Sequence, residues 1–282
     1  MQGIKHFFLA VQYFTRIPLP RAWADWVGFS PALLQGAAGH LPGVGLLIGT
    51  AAALAYAGLA LSLALGPYTS LVAAVLSTAL TVWLTGGLHE DGLADTADGL
   101  GGSMDRDKAL AIMKDPRIGA MGAMTLVLAL LAKVSLLAML GQASLYGTLL
   151  TLVWAHTLSR AWVLISMWTL PRVSQADTSK SKGVSEGVGL PHVRQALVWV
   201  VLSAALLWAV ALVLPSHGWG QARAEQALLT VWAATLASGL AWAWMHGRLR
   251  ARLGGHTGDG LGAAQQLAEL GTYLGVAWAL GQ

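Results

Sequence analysis

The chain reads as an all-α polytopic membrane bundle, with about seven transmembrane helices and an N-terminal interfacial helix in one domain spanning 1–282. Three observations predict this. The composition is 56% hydrophobic and only 11% charged, with mean hydropathy +0.61, whereas soluble domains carry about 25% charged residues. Seven apolar runs, at 41–65, 68–88, 119–140, 144–170, 195–214, 225–246 and 260–280, come near the roughly 20 residues that cross a bilayer as a helix. The segments between them alternate in charge. Fourteen Lys and Arg lie on one side (Lys5, Arg16, Arg21 and the loops 89–118, 171–194 and 247–259), against Arg223 alone on the other. That asymmetry predicts a cytoplasmic N-terminus.

The elements follow in order. Ile4 to Ile17 reads as an amphipathic helix lying in the interface and stopped by Pro18 and Pro20. Its apolar stretch is too short and too interrupted for a cleavable signal peptide. Pro42-Gly43-Val44-Gly45 opens the first span with small residues that permit close helix packing. The third and fourth spans carry Lys133 and Arg160. Charges at membrane depth face the bundle interior and pair or serve function. Arg160, about 15 Å from its helix end, is expected either to pair within the bundle or to reach up toward an anionic substrate. The seventh run is the weakest, because Gln265, Gln266 and Glu269 interrupt it. The stretch 174–189, rich in Ser, Lys and Gly, reads as a lid or as a plain linker.

Composition excludes several classes. There is no cysteine, hence no disulfide framework, thiolate metal site or cysteine nucleophile. The net charge of +4 forms no long basic stripe, so nucleic acid is not a partner.

Chemistry concentrates after the second run. Seven of the thirteen acidic residues fall within 90–115. Asp91, Asp95 and Asp98 share a sector of about 60° on a helix. Carboxylates packed this densely repel one another unless a hard cation such as Mg2+ neutralises them, and phosphate is its usual co-ligand. Glu90 points about 100° away, as a further ligand or a supporting one. Lys114 and Arg117, flanking Asp115 and Pro116, suit phosphate oxygens. Asp115 joins the metal cluster or pairs with Arg117. Thr257-Gly258-Asp259-Gly260 opens the last run, where helix N–H groups favour phosphate and Asp259 adds a carboxylate. Arg16 lies at the same interface. The whole set faces the cytoplasm.

At these residues the sequence resembles the cobalamin-5′-phosphate synthase (adenosylcobinamide-GDP ribazoletransferase) family. The carriers are Phe14-Thr15-Arg16-Ile17-Pro18, Pro42 to Gly49, Gly87 through Asp98-Gly99-Leu100-Gly101-Gly102, Ile112 to Gly119, and Thr257 to Ala263. Pro116 and Gly260 depart from the expected pattern without removing a charge. The resemblance implies a transferase of a bacterial inner membrane, completing nucleotide loop assembly in cobalamin (vitamin B12) biosynthesis. Adenosylcobinamide-GDP and α-ribazole, or its 5′-phosphate, would give adenosylcobalamin, or its phosphate, and GMP. It also implies Mg2+ as cofactor and work in the lipid bilayer, as a homo-oligomer or beside other cobalamin-assembly enzymes.

On this reading Asp91, Asp95, Asp98 and Asp259 are catalytic. The metal set is these four with Glu90 and Asp115. Arg16, Lys114, Arg117, Thr257 and Arg160 bind substrate. Two rivals stand beside it. Gly87-x3-Asp91-x3-Asp95 matches half of the CDP-alcohol phosphotransferase signature, whose Asp-Gly-x2-Ala-Arg half is missing. A divalent cation transporter would instead place its acids near the bilayer midplane.

Overall fold

The structure, a computed structural model, describes residues 2–63, 66–173, 184, 187–213 and 224–281. The stretch 174–189 lies largely outside them. Twelve α-helices are found among the described residues: α1 (Gln2–Phe14), α2 (Arg21–Val27), α3 (Pro31–Ala37), α4 (Leu41–Ser62), α5 (Thr69–Thr85), α6 (Leu88–Gly102), α7 (Arg106–Ile112), α8 (Ala120–Ala143), α9 (Leu145–Thr169), α10 (Leu190–Val213), α11 (Ala224–Leu253) and α12 (Gly258–Leu280). They contain no strand; one isolated parallel bridge joins Arg172 to His256.

A helix stands at each of the seven expected crossings, and five or six of them meet the length and hydropathy of a span. Five helices among the described residues are long and apolar enough to cross alone. A sixth qualifies only if α5 and α6, bent by 88°, count as one. α5 is only 17 residues long. α12 falls short because it carries Gln265, Gln266 and Glu269, all buried. Its neighbours explain how the fold tolerates them. α12 packs against α11, α6, α9 and α8, so its polar face meets protein instead of lipid. α9 is likewise central, 67% buried, whereas α10 is 11% buried and presents Leu197, Val201 and Trp208 outward. Small residues allow the central contacts, as the sequence predicts: a Cβ on Gly49 would come within 2.8 Å of Val153 Cα, so α4 lies against α9.

Local chemistry sets the boundaries. Ser30, Asp105, Ser144 and Thr257 accept backbone N–H bonds at the starts of α3, α7, α9 and α12. The turn between α5 and α6 is made by Gly86 and Gly87 at φ 69° and 71°, a left-handed pair that glycine adopts without penalty. It throws α6 across the end of the bundle.

Candidate active site

α6 lies over one end of the bundle, where α8 and α12 begin and α11 ends. Its crossing with α12 is tight: a Cβ on Gly92 would come within 2.9 Å of Asp259 Cα. The loop after α6 is tied down by two guanidiniums. Arg106 Nε donates to Leu253 O at 2.8 Å and Arg252 Nη2 to Ser103 O at 2.5 Å, which satisfies a carbonyl at the end of α11. The chain after α9 clips onto the start of α12 through Val173 N–H to His256 O and His256 N–H to Pro171 O, both 2.9 Å.

On this frame the expected carboxylates separate. Asp91 is exposed and Asp95 half-buried. Both lie within electrostatic range of each other and of Asp259 in the first turn of α12. Burial, then the charges of Asp91, Asp259 and Asp98, push the Asp95 carboxyl up to about 7. Burial and Asp91 raise Asp259 to about 6, with Lys114 opposing. Lys114 is thus within electrostatic range of Asp259.

Asp98 is turned elsewhere. Its Oδ2 accepts from Gly119 N–H at 2.7 Å and its Oδ1 from Gly122 N–H at 2.8 Å. A carboxylate there answers the unpaired donors and positive dipole end of α8. Asp91 and Asp95 thus face outward with Asp259, and Asp98, still within electrostatic range of Asp95, caps a neighbouring helix.

The other expected site residues are placed as follows. Glu90 is buried, with its Oε1 bonded to Gln266 Nε2 at 3.1 Å on the bundle side of α6 and its Oε2 without a partner. Asp115 and Arg117 pair bidentately at 2.9 and 2.6 Å; Arg117 holds the Asp115 carboxyl near 2, so Asp115 is committed to its neighbour. Arg160 is 2% exposed and donates Nη1 to His156 O at 3.0 Å. It pairs inward, the first of the two expected alternatives. Arg16 is exposed beside the α5–α6 turn, with its N–H on Leu84 O and its guanidinium against Gly86. Thr257 Oγ1 accepts from Gly260 N–H at 2.9 Å, as a helix cap.

Sequence reasoning missed two features. His256 is buried with neither ring nitrogen partnered; a histidine inside a Gly-rich turn gave no distinguishing signal. Gln265, Gln266 and Glu269, which interrupt the seventh run, form one helix face with Thr272 and Tyr273 at i, i+1, i+4, i+7, i+8.

Among the described residues no three His, Asp or Glu groups form a preformed metal cage. The donor set nevertheless fits Mg2+. It is all oxygen and mutually repulsive, and Mg2+ commonly takes one or two carboxylates and completes its shell with water and substrate phosphates.

The comparisons agree with the motifs. The family model for cobalamin-5-phosphate synthase matches residues 6–277. An adenosylcobinamide-GDP ribazoletransferase of Polaromonas sp. (strain JS666 / ATCC BAA-500) is 46% identical over 99% of this chain and 98% of its own. One from Albidiferax ferrireducens is 47% identical over 98% of both chains. One from Vibrio vulnificus is 40% identical over 95% of this chain and 93% of its own. No solved structure matches. Near full-length matches at such identity place the chain in the cobalamin-5-phosphate synthase family.

Proposed function

We infer that the protein is an adenosylcobinamide-GDP ribazoletransferase of the bacterial inner membrane, acting from the cytoplasmic face in the last assembly step of cobalamin biosynthesis. The observation that carries this reading is the outward carboxylate group Asp91, Asp95 and Asp259, with Lys114 beside it, at one end of an apolar helix bundle. The sugar hydroxyl of α-ribazole, or of its 5′-phosphate, attacks the cobinamide-side phosphorus of adenosylcobinamide-GDP. The new P–O bond forms as the P–O bond to GMP breaks, and GMP leaves with the electron pair. The hydroxyl proton passes to one of the three carboxylates.

Asp91, Asp95 and Asp259 would hold Mg2+, which when bound supplies charge neutralisation at the pyrophosphate. The protein's own groups position and stabilise, as phosphoryl transfer requires. Lys114 and Arg16 bind phosphate oxygens as cations. Arg117 does so by exchanging Asp115 for phosphate. The N–H groups opening α12, set by the Thr257 cap, face the same anion. Asp98 keeps the start of α8 in register with α6.

The test is GMP release by the protein in liposomes supplied with adenosylcobinamide-GDP and α-ribazole, with Mg2+ and then EDTA. Metal-dependent GMP together with a cobalamin product is expected. CMP release from a CDP-alcohol, or metal flux without turnover, would replace this reading with one of its rivals, neither of which the comparisons support.

A further inference from the structure

Behind α6 the bundle interior holds a chain of polar side chains. Lys133 Nζ meets Glu269 Oε1 at 2.5 Å, and Tyr273 Oη donates to the same oxygen at 2.9 Å. His156 Nδ1 lies 3.4 Å from Glu269 Oε2. Gln265 Nε2 donates to Glu269 Oε2 at 2.7 Å and to Ser159 Oγ at 3.0 Å. Gln266 Nε2 donates to Gln265 Oε1 at 2.9 Å and to Glu90 Oε1 at 3.1 Å. Glu269 is eleven residues into α12, about 16 Å from its start, so the chain links the interior to α6. Lys133 and Arg160 balance Glu269 and Glu90, and Arg160 lies within electrostatic range of both acids.

α6 needs such an anchor. The left-handed Gly86-Gly87 turn breaks the helix before it, so α5 does not dictate the rotation of α6 about its own axis. Side-chain attachments do. Asp98 fixes one end on α8, and Glu90 fixes the other on α12. Glu90 and Asp91 are neighbours about 100° apart on the helix, so holding one inward aims the other outward.

We propose that Glu90 is a positioning residue: its bond to the buried Lys133–Glu269–Gln265–Gln266 network sets the rotation of α6 and thereby aims Asp91 and Asp95. The kinetic consequence rests on the phosphoryl-transfer reading; the structural one does not. Sub-ångström placement matters here, because a misplacement of about 1 Å costs roughly a hundredfold in rate.

The test uses the full chain in liposomes, with Glu90→Gln, Glu90→Ala and Gln266→Leu. Each is also combined with Ala94→Cys, a buried position on α6. The natural chain has no cysteine, so that thiol labels uniquely. Glu90→Ala and Gln266→Leu are expected to lower kcat about a hundredfold with little change in KM for adenosylcobinamide-GDP, and to speed maleimide labelling. Glu90→Gln, whose amide oxygen still accepts from Gln266, should retain most of kcat and leave labelling slow. Loss of activity in Glu90→Gln as complete as in Asp91→Asn, with labelling unchanged throughout, would make Glu90 a direct ligand and overturn the proposal. Unchanged kcat and labelling in Glu90→Ala and Gln266→Leu would overturn it too. If the wild type releases no GMP, the functional reading fails and labelling alone decides the positioning role.

Discussion

Two groups of ionisable residues sit on opposite sides of α6 and are built on opposite rules. Outside, Asp91, Asp95 and Asp259 crowd like charges together with Lys114 as the cation among them. Inside, the Glu269 carboxylate meets the Lys133 ammonium, the Tyr273 hydroxyl and the Gln265 amide at hydrogen-bond distance, with His156 Nδ1 3.4 Å away. Lipid forbids the first arrangement at depth, since an uncompensated charge there is expensive. A water-facing bundle end permits it, and in the proposed function a cation and its phosphate co-ligand would relieve the repulsion. The contrast teaches that residue type does not separate a site from a scaffold. Whether neighbouring charges cancel does.

The comparison can be broken most sharply at the outward group. Asp91→Asn or Asp95→Asn should abolish GMP release, by about a thousandfold or more as for removal of a principal electrostatic stabiliser, while the protein stays folded. Retained turnover in either would remove that residue from the machinery.

The inward group should answer in stability instead. Lys133→Met leaves Glu269 buried without its cation and should destabilise the fold by about 3–5 kcal/mol, as for one broken partner of a buried pair. The double variant Lys133→Met/Glu269→Met should recover much of that, measured by unfolding in detergent. A single variant as stable as wild type would show that the pair is not what offsets the Glu269 charge.

A smaller effect has the opposite sign. Asp95 sits near 7 instead of the usual 3.8, so the folded state binds its proton more tightly than the unfolded state does. Stability is therefore greatest below the ordinary carboxylate range and falls as pH rises through about 7. In EDTA at pH 8, Asp95→Asn should melt slightly higher than wild type, by about 2 °C for a chain of this size. The gap should narrow towards pH 5 and close below the ordinary carboxyl value of 3.8. A lower melting point at pH 8 would mean that the outward group is not under repulsion.

The smallest effect belongs to the exposed pair. Asp115→Ala should leave the melting temperature unchanged, because exposed ion pairs contribute little. A marked drop would place Asp115 in the scaffold.

Much of the fold was legible in the sequence because lipid imposes it. Helix positions followed from apolar runs. The carboxylate face could be read because Asp91 and Asp95 share a helix side and no Lys or Arg intervenes before Arg106. The seventh crossing is weak by hydropathy in sequence and structure alike, because α12 carries buried Gln and Glu side chains that meet protein. Asp98 looked equivalent to Asp91 and Asp95 on periodicity. Nothing local foretells that the start of α8, twenty-one residues on, would claim both its oxygens.

The sequence by itself determined the membrane class, the helices, the family, and the segments that carry charge. Those depend on composition and short-range periodicity, which every window of the chain expresses. Only the tertiary structure decided which charges meet. Gly86 and Gly87 swing α6 across the bundle, Gly92 lets Asp259 approach, and residues separated by 176 positions, Glu90 and Gln266, share a hydrogen bond. Partners so far apart are chosen by packing, because desolvated polar groups must find one another wherever the helices bring them together.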